Sequence, residues 1–292
     1  MKKDSMVGGS DWFNTARVFD GMRLTPGYDA SRVDIFTSSV VVNYPTSFDD
    51  RLGGINFHGE YGTFSHLLLQ SRFEPCAFWR TANVVKSLEG KAGNESEFTL
   101  GSRLAGTLPG GFDYALESAR QAGHYSNDTI YAWAGCVIAG FRPPILPLRP
   151  RFSSEYEYAT GEGAHSAGRM ETFDLLYPAS HGIFGITDLF GWRNLRHLRT
   201  SAEVAPLRRL TVDFDYHWLG LASRYDGLYK TSGSAIVKAP KGGALSSDAG
   251  QEADGYFSYA LRSNTGVGGG YGNLFAGNSL KQNIKGSDAS YP

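Results

Sequence analysis

The stretch RLTVDFDYHWL, Arg209–Leu219, decides the class of fold. Every second residue in it is apolar, and the residues between them are polar. The apolar set is Leu210, Val212, Phe214, Tyr216 and Trp218, and the polar set is Arg209, Thr211, Asp213, Asp215 and His217. Side chains of a β-strand point alternately to its two faces, so this period of two predicts a strand with one apolar and one polar face.

The same alternation recurs along the chain and outlines about twelve strands. They are predicted near residues 17–26, 31–43, 52–60, 63–73, 96–108, 111–122, 128–141, 148–160, 194–206, 209–219, 253–262 and 265–274. Tight links such as Pro26–Ala30, Leu108–Gly111, Pro206–Arg208 and Ser263–Gly266 alternate with long polar links at 73–96, 160–194 and 221–254. Short turns at one end and long loops at the other are typical of an outer-membrane β-barrel. A soluble sandwich also has two-faced strands and stays open as an alternative.

Composition narrows the class of function. The chain has 28 basic and 29 acidic residues, so no overall field attracts nucleic acid, and nucleic-acid binding is not expected. No run approaches the roughly 18 apolar residues that a membrane-spanning helix needs. The start, MKKDSMVGGS, lacks the apolar core of a secretion signal, so we expect the natural N-terminus to lie upstream.

Residue patterns typical of catalysis are missing from the sequence. It contains no HExxH, GxSxG, P-loop or dinucleotide motif, and GVGGGYG at 266–272 has the wrong glycine spacing. Cys76 and Cys136 lie far apart, and the seven histidines show no metal-ligand spacing. We therefore predict a protein that is not an enzyme, binds no metal and needs no cofactor.

Four segments resemble the alginate-export family of outer-membrane porins. They are DWFNTARVFDGMRL (Asp11–Leu24), RPRFSSEYEYATGE (Arg149–Glu162), FDLLYPASHGIFGITDLFGWRN (Phe173–Asn194) and GYGNLFAGNSLK (Gly270–Lys281). They follow the family's order at similar separations, so the resemblance extends over nearly the whole chain. The third segment is the most specific, because FDxLYP followed by a spaced DLxGWRN is hard to obtain by chance.

The resemblance implies an all-β fold, a transmembrane antiparallel up-and-down β-barrel. A family barrel has about eighteen strands, so residues 1–292 would form one barrel domain supplying roughly the last two-thirds of it, truncated at both ends. The closing strand is expected to be missing, since the tail NSLKQNIKGSDASYP offers no aromatic-ended strand. The resemblance further implies passive export of an anionic uronate polymer across the bacterial outer membrane, within a lipid bilayer and beside periplasmic export components.

If the polar faces line a lumen, charged residues on them form its wall. The predicted set that contacts substrate is Arg23, Arg32, Arg103, Arg149, Arg151, Arg199, Arg209, Asp213, Asp215, Glu155 and Glu157. Asp34, Asp113 and Glu117 belong to the same faces. Guanidinium groups would attract carboxylates, while screening by water keeps each contact weak enough to release. Alternatively, these charges only satisfy one another across neighbouring strands, which is the better interpretation for any single arginine.

The link Phe173–Asn194 also has two interpretations. It could fold over the mouth as a selectivity or gating loop, with Asp174, His181, Asp188 and Arg193 as its polar contacts. Alternatively, its aromatic residues pack it against the barrel rim and the aromatic belt, which their number favours. Arg120 breaks the alternation, because it falls on the apolar face of its predicted strand.

The predicted function is therefore an outer-membrane channel for passive passage of an anionic polysaccharide or a related acidic solute. Two alternatives remain: a general or nutrient-uptake porin, and a soluble sandwich that binds carbohydrate on exposed aromatic side chains.

Overall fold

The fold is dominated by strands of one sheet. The computed structural model describes residues 7, 17–44, 46–65, 70–87, 90–164, 168–178, 181–239, 243–284 and 289–291. Twelve strands of six or more residues lie in these ranges, as predicted. They are β1 (Phe19–Leu24), β3 (Ser31–Val42), β5 (Ile55–Ser65), β6 (Arg72–Lys86), β7 (Ala92–Leu108), β8 (Phe112–Tyr125), β9 (Asp128–Phe141), β10 (Arg151–Ala159), β12 (Leu195–Leu207), β13 (Leu210–Leu221), β16 (Asp248–Arg262) and β17 (Thr265–Ala276).

The remaining elements are short and lie in the connections. They are β2 (Gly27–Tyr28), β4 (Asp50–Arg51), β11 (Arg169–Met170), β14 (Leu228–Tyr229), β15 (Ala235–Val237), the helix α1 (Asn278–Lys281) and β18 (Ala289–Tyr291). Among the described residues, no helix is long and apolar enough to cross a membrane.

Each long strand pairs antiparallel with the next one along the chain. The order is β1-β3-β5-β6-β7-β8-β9-β10-β12-β13-β16-β17-β18, and β14 and β15 form a separate hairpin. In the described part of the chain this sheet is open, with β1 at one edge and β18 at the other. One continuous meander is the topology of an up-and-down barrel wall, whereas a sandwich needs two facing sheets. The sandwich alternative is therefore wrong.

The two faces of the sheet differ in the way that the alternation predicts. On β13, Phe214 and Trp218 are 58% and 40% exposed, whereas Asp215 and His217 are buried. We call the buried, largely polar face the inner face and the apolar one the outer face. An outer face of exposed aromatic and aliphatic side chains is costly in water and suits contact with lipid.

The prediction was wrong at β5, β6 and the link after them. A strand boundary was predicted near residues 61–62, and 73–96 was predicted to be a long loop. Instead, β5 continues to Ser65, and β6 continues to Lys86, so that only residues 87–91 connect it to β7. Cys76 and Phe78 lie on the inner face of β6 and hide the alternation of polar and apolar residues. The chain tail also adds β18, which was not predicted.

Candidate transport site on the inner face

Arginine–carboxylate pairs cover the inner face; most join two adjacent strands, and Arg151–Asp113 reaches across β9. Arg103 on β7 donates from Nη1 to Glu74 Oε2 on β6 at 2.6 Å, and its Nε lies 4.0 Å from Glu117 on β8. Arg151 on β10 binds Asp113 with two hydrogen bonds, of 2.6 and 3.0 Å. Residues directly opposite each other in an antiparallel pair face the same side of the sheet, and Arg103 lies opposite both Glu74 and Glu117.

The same arrangement continues towards both edges of the sheet. Arg199 on β12 contacts Glu155 on β10, and its Nη1 lies 3.8 Å from Asp215 on β13. Near the other edge, Asp34 accepts a hydrogen bond from Arg23 at 2.7 Å and lies 3.8 Å from Arg32. These predicted residues thus share the inner face and are paired with one another.

Two of the predicted wall residues lie elsewhere. Arg149 is exposed in the turn at 142–150, where its carbonyl oxygen accepts a hydrogen bond from Arg142. Arg209 is exposed in the turn between β12 and β13 and donates to the Leu261 carbonyl oxygen at 3.1 Å. Their placement on strand faces was wrong because the first predicted strand began three residues too early and the second one residue too early, each within a turn. Asp213 is partly exposed on β13.

A chain of four buried groups crosses the inner face near the long-loop end. Glu157 Oε2 lies 2.7 Å from His197 Nδ1, and His197 Nε2 lies 2.8 Å from His217 Nδ1. His217 Nε2 in turn lies 3.3 Å from Asp254 Oδ2. These four residues link β10, β12, β13 and β16. The carboxylate of Glu157 is therefore paired with His197 and joins two strands.

The described part of the long loop between β10 and β12, residues 160–164, 168–178 and 181–194, folds onto the inner face. Its Asp174 accepts a hydrogen bond from Arg80 Nη1 on β6 at 2.7 Å and lies 3.3 Å from Arg193 Nη1. The backbone of Asp174 also makes two 2.8 Å hydrogen bonds with the amide of Gln121 on β8. Burial alone would raise the pKa of Asp174, but the guanidinium groups of Arg80 and Arg193 lower it below its usual value.

The loop is also held on the opposite side of the inner face. Ile186 donates its backbone N–H to Asp254 at 3.0 Å. Thr187 donates its backbone N–H and its hydroxyl to Glu252 on β16, at 2.9 and 2.6 Å. Tyr177 packs edge-on against Phe57 on β5, with ring centroids 4.9 Å apart. The loop therefore crosses the inner face from β16 to β5.

Apolar packing secures the same loop. Phe173, Phe184, Phe190 and Trp192 are each at most 1% exposed. The loop after β13, residues 222–247, packs on it: Asn194 donates to the carbonyl oxygens of Ser223 and Gly227. These aromatic side chains are buried on the inner side, so the interpretation that they pack against the outer aromatic belt is wrong.

The polar residues predicted for the loop divide into two groups. Asp174 and Arg193 join the loop to the barrel wall and to the second loop, where Arg193 lies 4.6 Å above the Tyr229 ring. His181 and Asp188 instead pair with each other inside the loop. Burial raises the pKa of Tyr229.

The sequence analysis missed several residues that anchor the loop. Gln121 lies on the polar face of a predicted strand, so the alternation itself could have identified it. Arg80 lies in a stretch predicted to be a loop, and Glu252 lies just before a predicted strand. No local pattern indicates which wall residue meets a loop more than 50 positions away.

Arg120 lies on the outer face, as the alternation predicts. It is exposed, and its guanidinium lies 4.7 Å from the Tyr131 ring centroid on β9. The attraction between a cation and an aromatic ring offsets part of the free energy lost when the guanidinium leaves water.

Among the described residues, one group has the composition of a metal site. Ligand atoms of Cys136, Glu155 and Glu157 lie within 4.8 Å of one another. Both carboxylates are already engaged, by Arg199 and His197. The donor set therefore belongs to the ion-pair network and gives no reason to infer a metal ion.

Comparison with known proteins agrees with this architecture. The alginate export family matches residues 2–290, essentially the whole chain, whereas the resemblance noted above implied only the last two-thirds of a family barrel. No curated protein matches the chain. A match of this extent, together with a single antiparallel meander whose apolar face points outward, establishes that the chain belongs to the alginate export family, a transport family of outer-membrane β-barrels.

Proposed function

We propose that residues 1–292 form one domain that supplies most of a barrel wall, and that its arginine-lined inner face conducts an anionic polysaccharide passively, without catalysis or energy input. The observation that carries this proposal is the set of cross-strand pairs around Arg103, Arg151 and Arg199. Each guanidinium has up to five N–H donors, and a carboxylate partner uses at most two of them. A passing carboxylate can therefore bind to the remaining donors without breaking the pair.

The paired carboxylates set the strength of this binding. An unpaired cluster of arginines would hold a polyanion tightly and slow its exit. Glu74, Asp113 and Glu155 each neutralise one guanidinium, so a passing carboxylate meets the unused N–H donors but little net charge, and every contact stays exchangeable. The part of the inner face that carries these pairs thus suits passage of the polymer rather than tight binding of it.

The loop at 160–194 would act as the selectivity element of this channel. It crosses the inner face and is anchored on strands at both sides, by Asp174 on Arg80 and by Thr187 on Glu252. A loop in this position narrows the passage at the long-loop end. Extended chains of sugar acids would pass beside it more readily than globular solutes.

Single-channel conductance in planar bilayers tests the proposal. The test variant replaces Arg103, Arg151 and Arg199 by glutamine. The matched control replaces Arg120, Arg196 and Arg208 by glutamine, which removes the same charge. These three arginines are exposed on the outer face or in a turn. We expect anion-selective conductance that added polyuronate blocks, with the block weakened in the test variant alone. Conductance indifferent to polyuronate and to both variants would refute the proposal.

A second candidate is uptake of a small acidic solute. The crossing loop favours it, because a narrowed passage limits the size of what can pass. Block by a monomeric acid together with no response to the polymer would distinguish this candidate.

A further inference from the structure

A cavity of about 600 Å³ lies on the inner face between β1 and β8, and Arg103, Glu74 and Glu117 are among its lining residues. Pockets of some 300–1,000 Å³ are the size that encloses a small ligand. Its wall is divided into an aromatic part and a charged part. That division indicates which kind of molecule fits.

The aromatic part consists of inner-face phenylalanines on three adjacent strands. The rings of Phe36 and Phe57 have centroids 5.3 Å apart, and those of Phe57 and Phe78 are 5.5 Å apart. All three line the cavity. These aromatic side chains offer a flat apolar contact for the C–H face of a ring.

The charged part includes two polar atoms that lack partners among the described residues. Arg103 is only 9% exposed, and its Nη2 donates no hydrogen bond, although its Nη1 binds Glu74. Glu74 is 1% exposed, and its Oε1 accepts none. Buried polar groups are normally satisfied, so an orphan donor beside an orphan acceptor points to a bound group that supplies both complements.

These features together specify the ligand. Arg103 Nη2 requires an acceptor, best supplied by a carboxylate. Glu74 Oε1 requires a hydroxyl donor, and its carboxylate would repel an acid that has none. The phenylalanines require an apolar ring face. We propose that the cavity is a retention subsite for a single sugar-acid ring, at which a transiting polymer pauses. This inference rests on the proposed function, because it assumes that the inner face meets sugar acids.

Binding of a monomer tests the subsite separately from conduction. Saturation-transfer NMR on the full chain in detergent micelles would use glucuronate as the probe, with glucose and benzoate as comparisons. We expect binding of glucuronate, weaker binding of both comparisons, and a loss of about tenfold or more on Arg103→Gln, since a charge-assisted hydrogen bond is removed.

The matched control is Arg120→Gln, which removes the same charge from the exposed outer face of β8 and should leave glucuronate binding unchanged. Because Arg103→Gln leaves Glu74 without its cation, the charge-neutral double variant Glu74→Gln/Arg103→Gln provides a second readout if the single variant does not fold. Equal binding of glucose, preference for benzoate, or equal effects of both arginine variants would each overturn the inference. If glucuronate binds as expected while polyuronate fails to block conductance, the subsite stands and the proposed channel function fails.

Discussion

The replacement Asp174→Asn tests whether the loop at 160–194 is held on the inner face by charge. It keeps the size of the side chain and removes two ion-pair contacts, to Arg80 at 2.7 Å and to Arg193 at 3.3 Å. The backbone hydrogen bonds of Asp174 with Gln121 remain. The change therefore isolates the electrostatic part of the anchor.

The magnitude follows from the surroundings of Arg80. Removing one partner of a buried ion pair costs about 3–5 kcal/mol when it leaves the other charge uncompensated. Arg80 keeps Glu95 at 2.6 Å and Glu97 at 3.3 Å, so its charge stays compensated. We expect a smaller cost, of about 2 kcal/mol, which corresponds to a roughly thirtyfold increase in the open population of the loop.

Hydrogen exchange of the loop amides measures that population directly. Leu176 is the most informative position, because its N–H donates to Asp174 Oδ1 at 2.8 Å. Exchange near residues 173–177 should accelerate about thirtyfold if opening is rapid and reversible. Exchange in β8 should stay unchanged.

The control is Asp188→Asn, which removes an acid of the same loop that contacts His181 and the Gly182 N–H only within the loop. It should leave exchange at residues 173–177 nearly unchanged. Equal acceleration in both variants, or none in Asp174→Asn, would refute the view that Asp174 anchors the loop.

Two further predictions concern the same loop. Trp192→Ala should destabilise it by about 3–5 kcal/mol, because Trp192 is fully buried; urea unfolding in vesicles checks this against Trp218→Ala, whose side chain lies exposed on the outer face and should cost less. The lowered pKa of Asp174 means that the docked loop binds fewer protons than the undocked one, so docking is fully favoured above the ordinary value of 3.8 and is lost only as pH falls through the lower docked value. Exchange at Leu176 measured from neutral to acidic pH should therefore stay slow until below pH 3.8, and acceleration between pH 7 and 5 would contradict the assignment.

The strands could be predicted from the sequence wherever inner and outer faces differ in polarity. Along β13, an apolar side chain faces out at every second position and a polar one faces in, and the predicted and observed bounds agree within two residues. Along β6 the inner face carries Cys76 and Phe78 beside Glu74, so local polarity no longer reports direction and the strand was missed.

The candidate site was predictable only as a set of charges on one face. Alternation alone assigned Arg103, Arg151 and Arg199 to that face, because the direction of a strand side chain depends on local parity. Arg149 and Arg209 lie in turns and not on that face. Their positions could not be predicted, because pairing with a neighbouring strand, rather than the local sequence, sets where a strand begins.

The sequence by itself determined the all-β class, most of the long strands, the two faces and the family, because each depends on local periodicity or on short motifs. Only the tertiary structure decided that the loop at 160–194 turns inward, that Asp174 meets Arg80, and that Arg103 lines a cavity with Phe57. Asp174 and Arg80 are 94 positions apart in the chain, and Arg103 and Phe57 are 46 positions apart. Those contacts arise from strand register and from burial of the loop's aromatic side chains, neither of which a local pattern encodes.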